Sequence, residues 1–423
     1  MVGAVISVSP SGLPGSLSDT TDDAPRRAAA QSIDRPVCRL TRVSTDRWTQ
    51  CTPCRDPSPT RSVGQVSLTS DTNPAPTAEP RIDVGLPVDW ALARRTAARL
   101  VPAGPPVSRD DAVELVRRLR SDAAVAEGHV RAVTGLGEGL PLLPADVVDR
   151  PAWAAAAIDG MAALTAGARL PHTPKVARAV TATTAGLQVG GVLAYLGGRV
   201  LGQYDPFGGA DGEGRLLLVA PNVYAAQQAL NVPSVDFGMW VCLHEATHRL
   251  QFTAVPWLRE HFSQEVGRFL SMADGARGSL LDRLPEAISA IRGSGGDSLV
   301  LVELLQGPEQ RAVLDRLLAL TTLLEGHADH VMDAAGPDVV PSVETIRARF
   351  TLRRRGGGLV DRLLRALLGV EAKVKQYAVG SAFTKYVVLA VGMDGFNRVW
   401  ESPQTLPSRA ELADPAAWLE RVG

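Results

Sequence analysis

One stretch of the chain limits its architecture more than any other. Residues 239–252 read Met-Trp-Val-Cys-Leu-His-Glu-Ala-Thr-His-Arg-Leu-Gln-Phe. Met239, Trp240, Leu243, Thr247 and Leu250 recur at helical spacing, which predicts a helix beginning after Pro233-Ser234. On a helix, His244 and His248 lie one turn apart on one face. Two imidazoles placed this way reach a single Zn2+ at about 2.0–2.1 Å. Glu245 is one position round the helix, where its carboxylate misses the metal and reaches a metal-activated water as general base. The plain alternative is a buried helix with two structural histidines. The chain has only 7 histidines, and four of them fall in this motif and in one other segment.

That segment is Leu323-Leu-Glu-Gly-His-Ala-Asp-His-Val-Met-Asp333. A catalytic zinc takes three protein ligands and keeps one position open. Glu325 is the expected third ligand. Asp329, four residues on and hence on the same face, is expected to accept a hydrogen bond from a ligand histidine's other ring nitrogen. A solvated acidic face is the alternative, but Leu323, Leu324, Ala328 and Val331 predict a largely buried helix. An unpaired carboxylate there would be costly. His327 is an alternative ligand. His330 and Tyr377 are candidate donors to a developing oxyanion. Lys375 and Tyr377 can also be read as plain helix residues, and His261, His129 and His172 as surface or structural residues.

The rest of the chain sets the frame. Of 423 residues, 45% are hydrophobic and 21% charged, enough apolar material for a large core. The net charge of -1 carries no basic footprint of a nucleic-acid binder. Arg353-Arg-Arg355, before three glycines, reads as a solvated loop. No uncharged apolar run reaches the roughly 18 residues of a membrane span; residues 186–198 come closest and stop at Arg199. With no signal-peptide pattern at the start, a cytoplasmic location is expected. Residues 1–85 read as a disordered tail, rich in Ser, Thr and Pro, or as the product of a start site assigned too far upstream. Cys51-Thr-Pro-Cys54 and Cys38 lie in it without the flanking elements of a zinc or redox site. Cys242 reads as a small buried hydrophobe. Residues 86–423 form the expected domain, with a helical part at 86–210 and a metal-site part at 211–423. Helical patterns at 108–119, behind the capping residue Ser108, and near 121–134, 152–167 and 174–202 precede one strand candidate, 216–219. Glycines in the 174–202 pattern are expected to permit close helix approach.

His244-Glu-x-x-His248 with Glu325-x-x-x-Asp329 resembles the gluzincin arrangement of zinc metallopeptidases. From about residue 86 the chain resembles an actinobacterial family of zinc-dependent metalloproteases or hydrolases, one branch of which is associated with biosynthesis of a deazaflavin coenzyme. The matching stretches are Val88-Asp-Trp90, Gly202-Gln-Tyr-Asp205, His244 to Phe252, Glu325 to His330, Lys375-Gln-Tyr377 with Gly380 and Phe383, and Trp400 to Val422. They span about four fifths of the chain, and no expected metal-binding position is missing.

The expectation is therefore a mainly α, zincin-like helical domain with a small β-sheet beside the metal-binding helix. The expected activity is zinc-dependent hydrolysis of a peptide or amide bond, with Glu245 as general base. Strand 216–219 is expected to pair with an extended substrate. Two rivals share the residues: a hydrolase of small amides with a closed site, and a helical scaffold whose zinc is structural. A fourth protein ligand, His327 or His330, would mark the scaffold. The oligomeric state is not legible.

Overall fold

The computed structural model describes residues 82–209, 212–272, 307–355 and 370–423, with side chains given up to 351 and again from 378 in the last two segments. Residues 1–81 of the expected tail, with its three cysteines, and the side chains of Lys375, Tyr377 and residues 353–355, lie outside the described residues. Ile82–Val84 (β1) precedes the boundary expected at residue 86. Trp90–Leu100 (α1) starts at Asp89, whose carboxylate accepts from the Leu92 amide at 2.8 Å. The patterns at 108–119 and 121–134 are one helix, Arg109–Thr134 (α2), which Ser108 caps by accepting from the Asp111 amide at 3.1 Å. Gly135 ends it at φ 68°, in the left-handed conformation that glycine adopts without strain. Then come Ala145–Val148 (β2), Arg150–Thr165 (α3), Arg169–Pro171 (β3) and Lys175–Gly197 (α4). Gly202–Asp205 (β4), Arg215–Val219 (β5), Ala220–Leu230 (α5) and Ser234–Thr253 (α6) follow. The chain continues through Leu258–Met272 (α7), Pro308–Val339 (α8), Val343–Arg355 (α9) and Val370–Phe396 (α10). It closes with Arg409–Ala413 (α11) and Pro415–Val422 (α12). The arginines at 353–355 thus end a helix instead of lying in a loop.

The fold is mainly α with a small sheet, as expected. β1 pairs antiparallel with β3. In the three-stranded sheet β5 is central, parallel to β2 and antiparallel to β4. This corrects the expectation that strand 216–219 offers an edge to substrate, because both of its edges are filled. The unbroken apolar run has the same cause. Leu216 and Leu218 face the core around α6, while Leu217 and Val219 face a second core built from α1, α3 and α4. A strand covered on both faces has no polar side to alternate with.

The metal-motif helix α6 is at the centre. From Phe237 to Phe252 every residue except Met239 is buried, so the helix is enclosed rather than merely amphipathic. It packs against α2, α8, α5, β4 and β5. α4 is apolar and long enough to cross a membrane by length and composition, unlike the sequence expectation. One side of it closes on α1, where a Cβ at Gly186 would stand 2.6 Å from the Asp89 carbonyl oxygen and one at Gly190 2.6 Å from that of Ala93.

Asp122 on α2 is half-buried against α6, where a Cβ at Gly238 would stand 3.0 Å from its Oδ2. Burial pushes its carboxyl up to about 6, against a partial opposing effect of Arg118. The unfolded carboxyl titrates near 3.8. Between that value and about 6 the folded chain holds a proton that the unfolded chain has lost, so stability falls as pH rises through this window. Asp122→Asn is therefore expected to raise the melting temperature at pH 7 and to leave it nearly unchanged at pH 3.5. Equal shifts at both pH values would show that ionisation is not the cause.

Candidate metal centre

Three side chains from two helices converge inside the core. His244 and His248 come from successive turns of α6, and Glu325 comes from α8, which packs across it. The two Nε2 atoms are 3.1 Å apart. Glu325 Oε2 stands 3.6 Å from Nε2 of His244 and 3.8 Å from Nε2 of His248. All three residues are at least nine-tenths buried. Ligand atoms held about 2.0–2.1 Å from a tetrahedral zinc lie roughly 3.3–3.4 Å from one another. The observed triangle brackets that spacing.

The hydrogen-bond partners of the two rings agree with a cation site. Gln251 Nε2 lies 2.9 Å from the Leu324 carbonyl, which can only accept, so this end of the amide is the NH2. Its Oε1 then accepts from His248 Nδ1 at 2.8 Å. A neutral imidazole with its proton on Nδ1 has a bare lone pair on Nε2. His244 Nδ1 lies 3.2 Å from the Met332 thioether sulfur, so the ring turns its Nε2 toward the cluster. Two imidazole Nε2 atoms and a carboxylate oxygen meeting at one buried point fit a divalent metal.

Glu245 is wholly buried and is held from the β4 side. A Cβ at Gly202 would stand 2.6 Å from Glu245 Cγ and 2.9 Å from Oε1. The strand backbone therefore lies against the carboxylate, in space that only glycine leaves. α6 is anchored one residue past His248, where Arg249 donates to the buried Glu127 at 2.8 Å and to the carbonyls of Leu143 and Pro144. Glu325 is set by a second close approach. Gly326 meets Gly380 of α10 so tightly that a Cβ at 326 would fall 2.0 Å from the Gly380 carbonyl carbon.

Several sequence expectations are corrected here. Asp329 does not orient a ligand histidine. Its carboxylate takes Arg347 at 3.0 Å, and the histidine Nδ1 atoms face Gln251 and Met332. His327 lies behind the cluster, with Nδ1 accepting from Gln251 at 3.0 Å and its ring stacked on Phe396. Burial, followed by the nearby His330 and His248, lowers its pKa to about 3, so the ring is neutral. His330 follows Glu325 by five positions, about 140° round the helix. Half-buried, it is held below its ordinary pKa by burial, with Asp333 and Lys385 as neighbouring charges. Neither histidine joins the three-residue cluster. Tyr377 belongs to α10 one turn before Gly380, and its side chain lies outside the described residues.

Gln251, Met332 and Gly202 were missed. Gln251 had a readable signal, since it follows His248 by three positions on the same helical face. Gly202 and Met332 had none, because both act across the tertiary fold. A cleft of about 630 Å³ opens further along the seam between β4 and α6, beside Tyr204, Arg249, Asp146 and Arg215. None of the four site residues lines it.

Comparison with known proteins agrees with this geometry. A family model described as a zincin-like metallopeptidase matches residues 88–419. The chain is similar to the crystal structure of "a putative hydrolase with a novel fold" from Chloroflexus aurantiacus. The two are 31% identical, the match covers 79% of this chain and 98% of that one, and the TM-score is 0.55. No curated protein matches. With a family match from Val88 into the last helix and two histidines and a glutamate converging at its centre, the chain belongs to the zincin-like metallopeptidase family.

Proposed function

We propose that the chain is a zinc-dependent hydrolase of peptide or amide bonds, with His244, His248 and Glu325 as the metal ligands and Glu245 as the general base. The observation that carries this reading is the convergence of the three ligand atoms within 4.8 Å of one another. Bound there, zinc supplies a Lewis acid and brings the pKa of a coordinated water toward about 7. The chain's own residues do the rest. Glu245 takes a proton from the attacking water and returns it to the leaving nitrogen. Gly202 keeps its carboxylate in place, and Gln251 and Met332 aim the two imidazoles.

The cluster holds three ligands among the described residues, with His327 turned to Gln251 and His330 to the other side of α8. This favours a catalytic site over the four-ligand structural zinc of a scaffold. All four groups are at least nine-tenths buried, which favours a small amide over a long polypeptide lying in an open groove. The outer strand β4, at Gly202, runs past Glu245.

The test is zinc content by elemental mass spectrometry on the purified full chain. Wild type is expected to carry one zinc, and Glu325→Ala and His248→Ala to lose it. A folded wild type that takes up no zinc when supplied with it would remove the hydrolase reading.

A further inference from the structure

Gln251 is wholly buried, and both ends of its amide are bonded at or beside the candidate site. Its oxygen accepts from His248, and its nitrogen donates to the carbonyl of Leu324 and to His327. Leu324 is the residue before Glu325, so one side chain on α6 grips both a ligand of its own helix and the backbone that presents the ligand of α8. The chain of bonds has a direction. The Leu324 carbonyl fixes which end of the amide is NH2, that end fixes the oxygen, and the oxygen fixes the proton of His248 on Nδ1. In water a neutral histidine prefers its proton on Nε2, so the fold selects the less common tautomer.

We infer that Gln251 is a positioning residue that locks His248 in the Nδ1–H form and clamps α6 to the turn of α8 bearing Glu325. A metal-ligand histidine is usually oriented by a carboxylate, a backbone carbonyl or water. Here a neutral amide takes that place. The amide adds no negative charge beside Glu325 and Glu245, and it supplies the two donors that Leu324 and His327 require. A carboxylate could accept from His248 but would turn an oxygen toward the Leu324 carbonyl. The metal-affinity part of this inference rests on the zinc reading proposed above; the tautomer part does not.

Ring 15N shifts of the metal-free full chain read the tautomer directly, with His248 assigned by the signal that His248→Ala removes. Wild type is expected to show the proton on Nδ1. Gln251→Leu, close in shape and without polar atoms, is expected to move it toward Nε2 and to raise the Kd for Co2+ by 10- to 100-fold. Gln251→Glu keeps an acceptor for His248 and is expected to retain the Nδ1–H form. A folded Gln251→Leu with the wild-type tautomer and wild-type cobalt affinity would overturn the inference. If Gln251→Leu does not fold, loss of the Nδ1–H form in Gln251→Glu overturns it. A wild type that shows the Nδ1–H form yet binds neither cobalt nor zinc supports the lock and refutes the zinc reading.

Discussion

Gly202→Ala is expected to leave zinc in place and to lower kcat by about 10²-fold, because displacing a reacting group by about 1 Å costs that much. The added methyl would stand 2.6 Å from Glu245 Cγ and 2.9 Å from Oε1, closer than carbon and oxygen approach without bonding. Glu245 is the part that yields, since its side chain rotates more easily than a strand shifts against β5. The fold and the three ligands should survive that rotation, while the carboxylate leaves its post. Glu245→Gln supplies the benchmark. It keeps the shape, removes the base, and is expected to cost between about 10² and 10⁴ in rate with zinc retained. Rates on an amide substrate drawn from a library, paired with zinc content, check both variants. Full activity in Gly202→Ala would show that the contact does not set the base, and full activity in Glu245→Gln would remove Glu245 from the chemistry.

The second large effect is on stability. Gly326→Ala drives a methyl to within 2.0 Å of the Gly380 carbonyl carbon and 2.4 Å of its oxygen. These are backbone atoms, so no rotamer change relieves the clash and α8 and α10 must part. Overpacking of this kind costs about 3 kcal/mol or more, or roughly 4 °C in melting temperature for a domain of this size. Gly380→Ala meets the Thr322 carbonyl oxygen at 2.1 Å across the same seam. Once the helices have separated for one methyl, the second costs less, so the double variant is expected to lose less than the sum of the singles. Melting curves of the three variants decide the matter. Wild-type melting in both singles would mean that the crossing is not as tight as drawn. Because Gly326 adjoins Glu325, the same variants should also weaken zinc binding.

What could be read in advance follows the reach of local chemistry. The helix of the metal motif, the cap at Ser108, and the apolar run at 216–219 announce themselves within one or two turns of chain. His244, Glu245 and His248 were legible because spacing on one helix fixes which side chains share a face. Glu325 was legible because a buried helix bearing a carboxylate needs a partner. Asp329 shows where this logic stops. The same spacing that put it on the face of Glu325 could not show that Arg347, eighteen residues on, would claim it. The centrality of β5 was hidden for a similar reason. An apolar run covered on both faces looks the same whether its edges are open or filled, and β4, which fills one edge, begins at Gly202, where the helical pattern of 174–202 ends. Gln251 stood inside the quoted motif, but its role depends on a carbonyl of α8.

The enclosure of α6 has a consequence for how this protein can change. The helix that holds two candidate ligands and the candidate base is also the hub on which α2, α5, α8 and the sheet pack. Its polar groups sit where apolar ones would pack more favourably, and the surrounding leucines and aromatics offset that penalty. Activity and stability are thus drawn from the same twenty residues and pull against each other. Stabilising substitutions that spare function should therefore be found on the outer helices, away from α6. Any lineage that lost the chemistry would be free to fill this helix with hydrophobes, and it should gain stability as it did so.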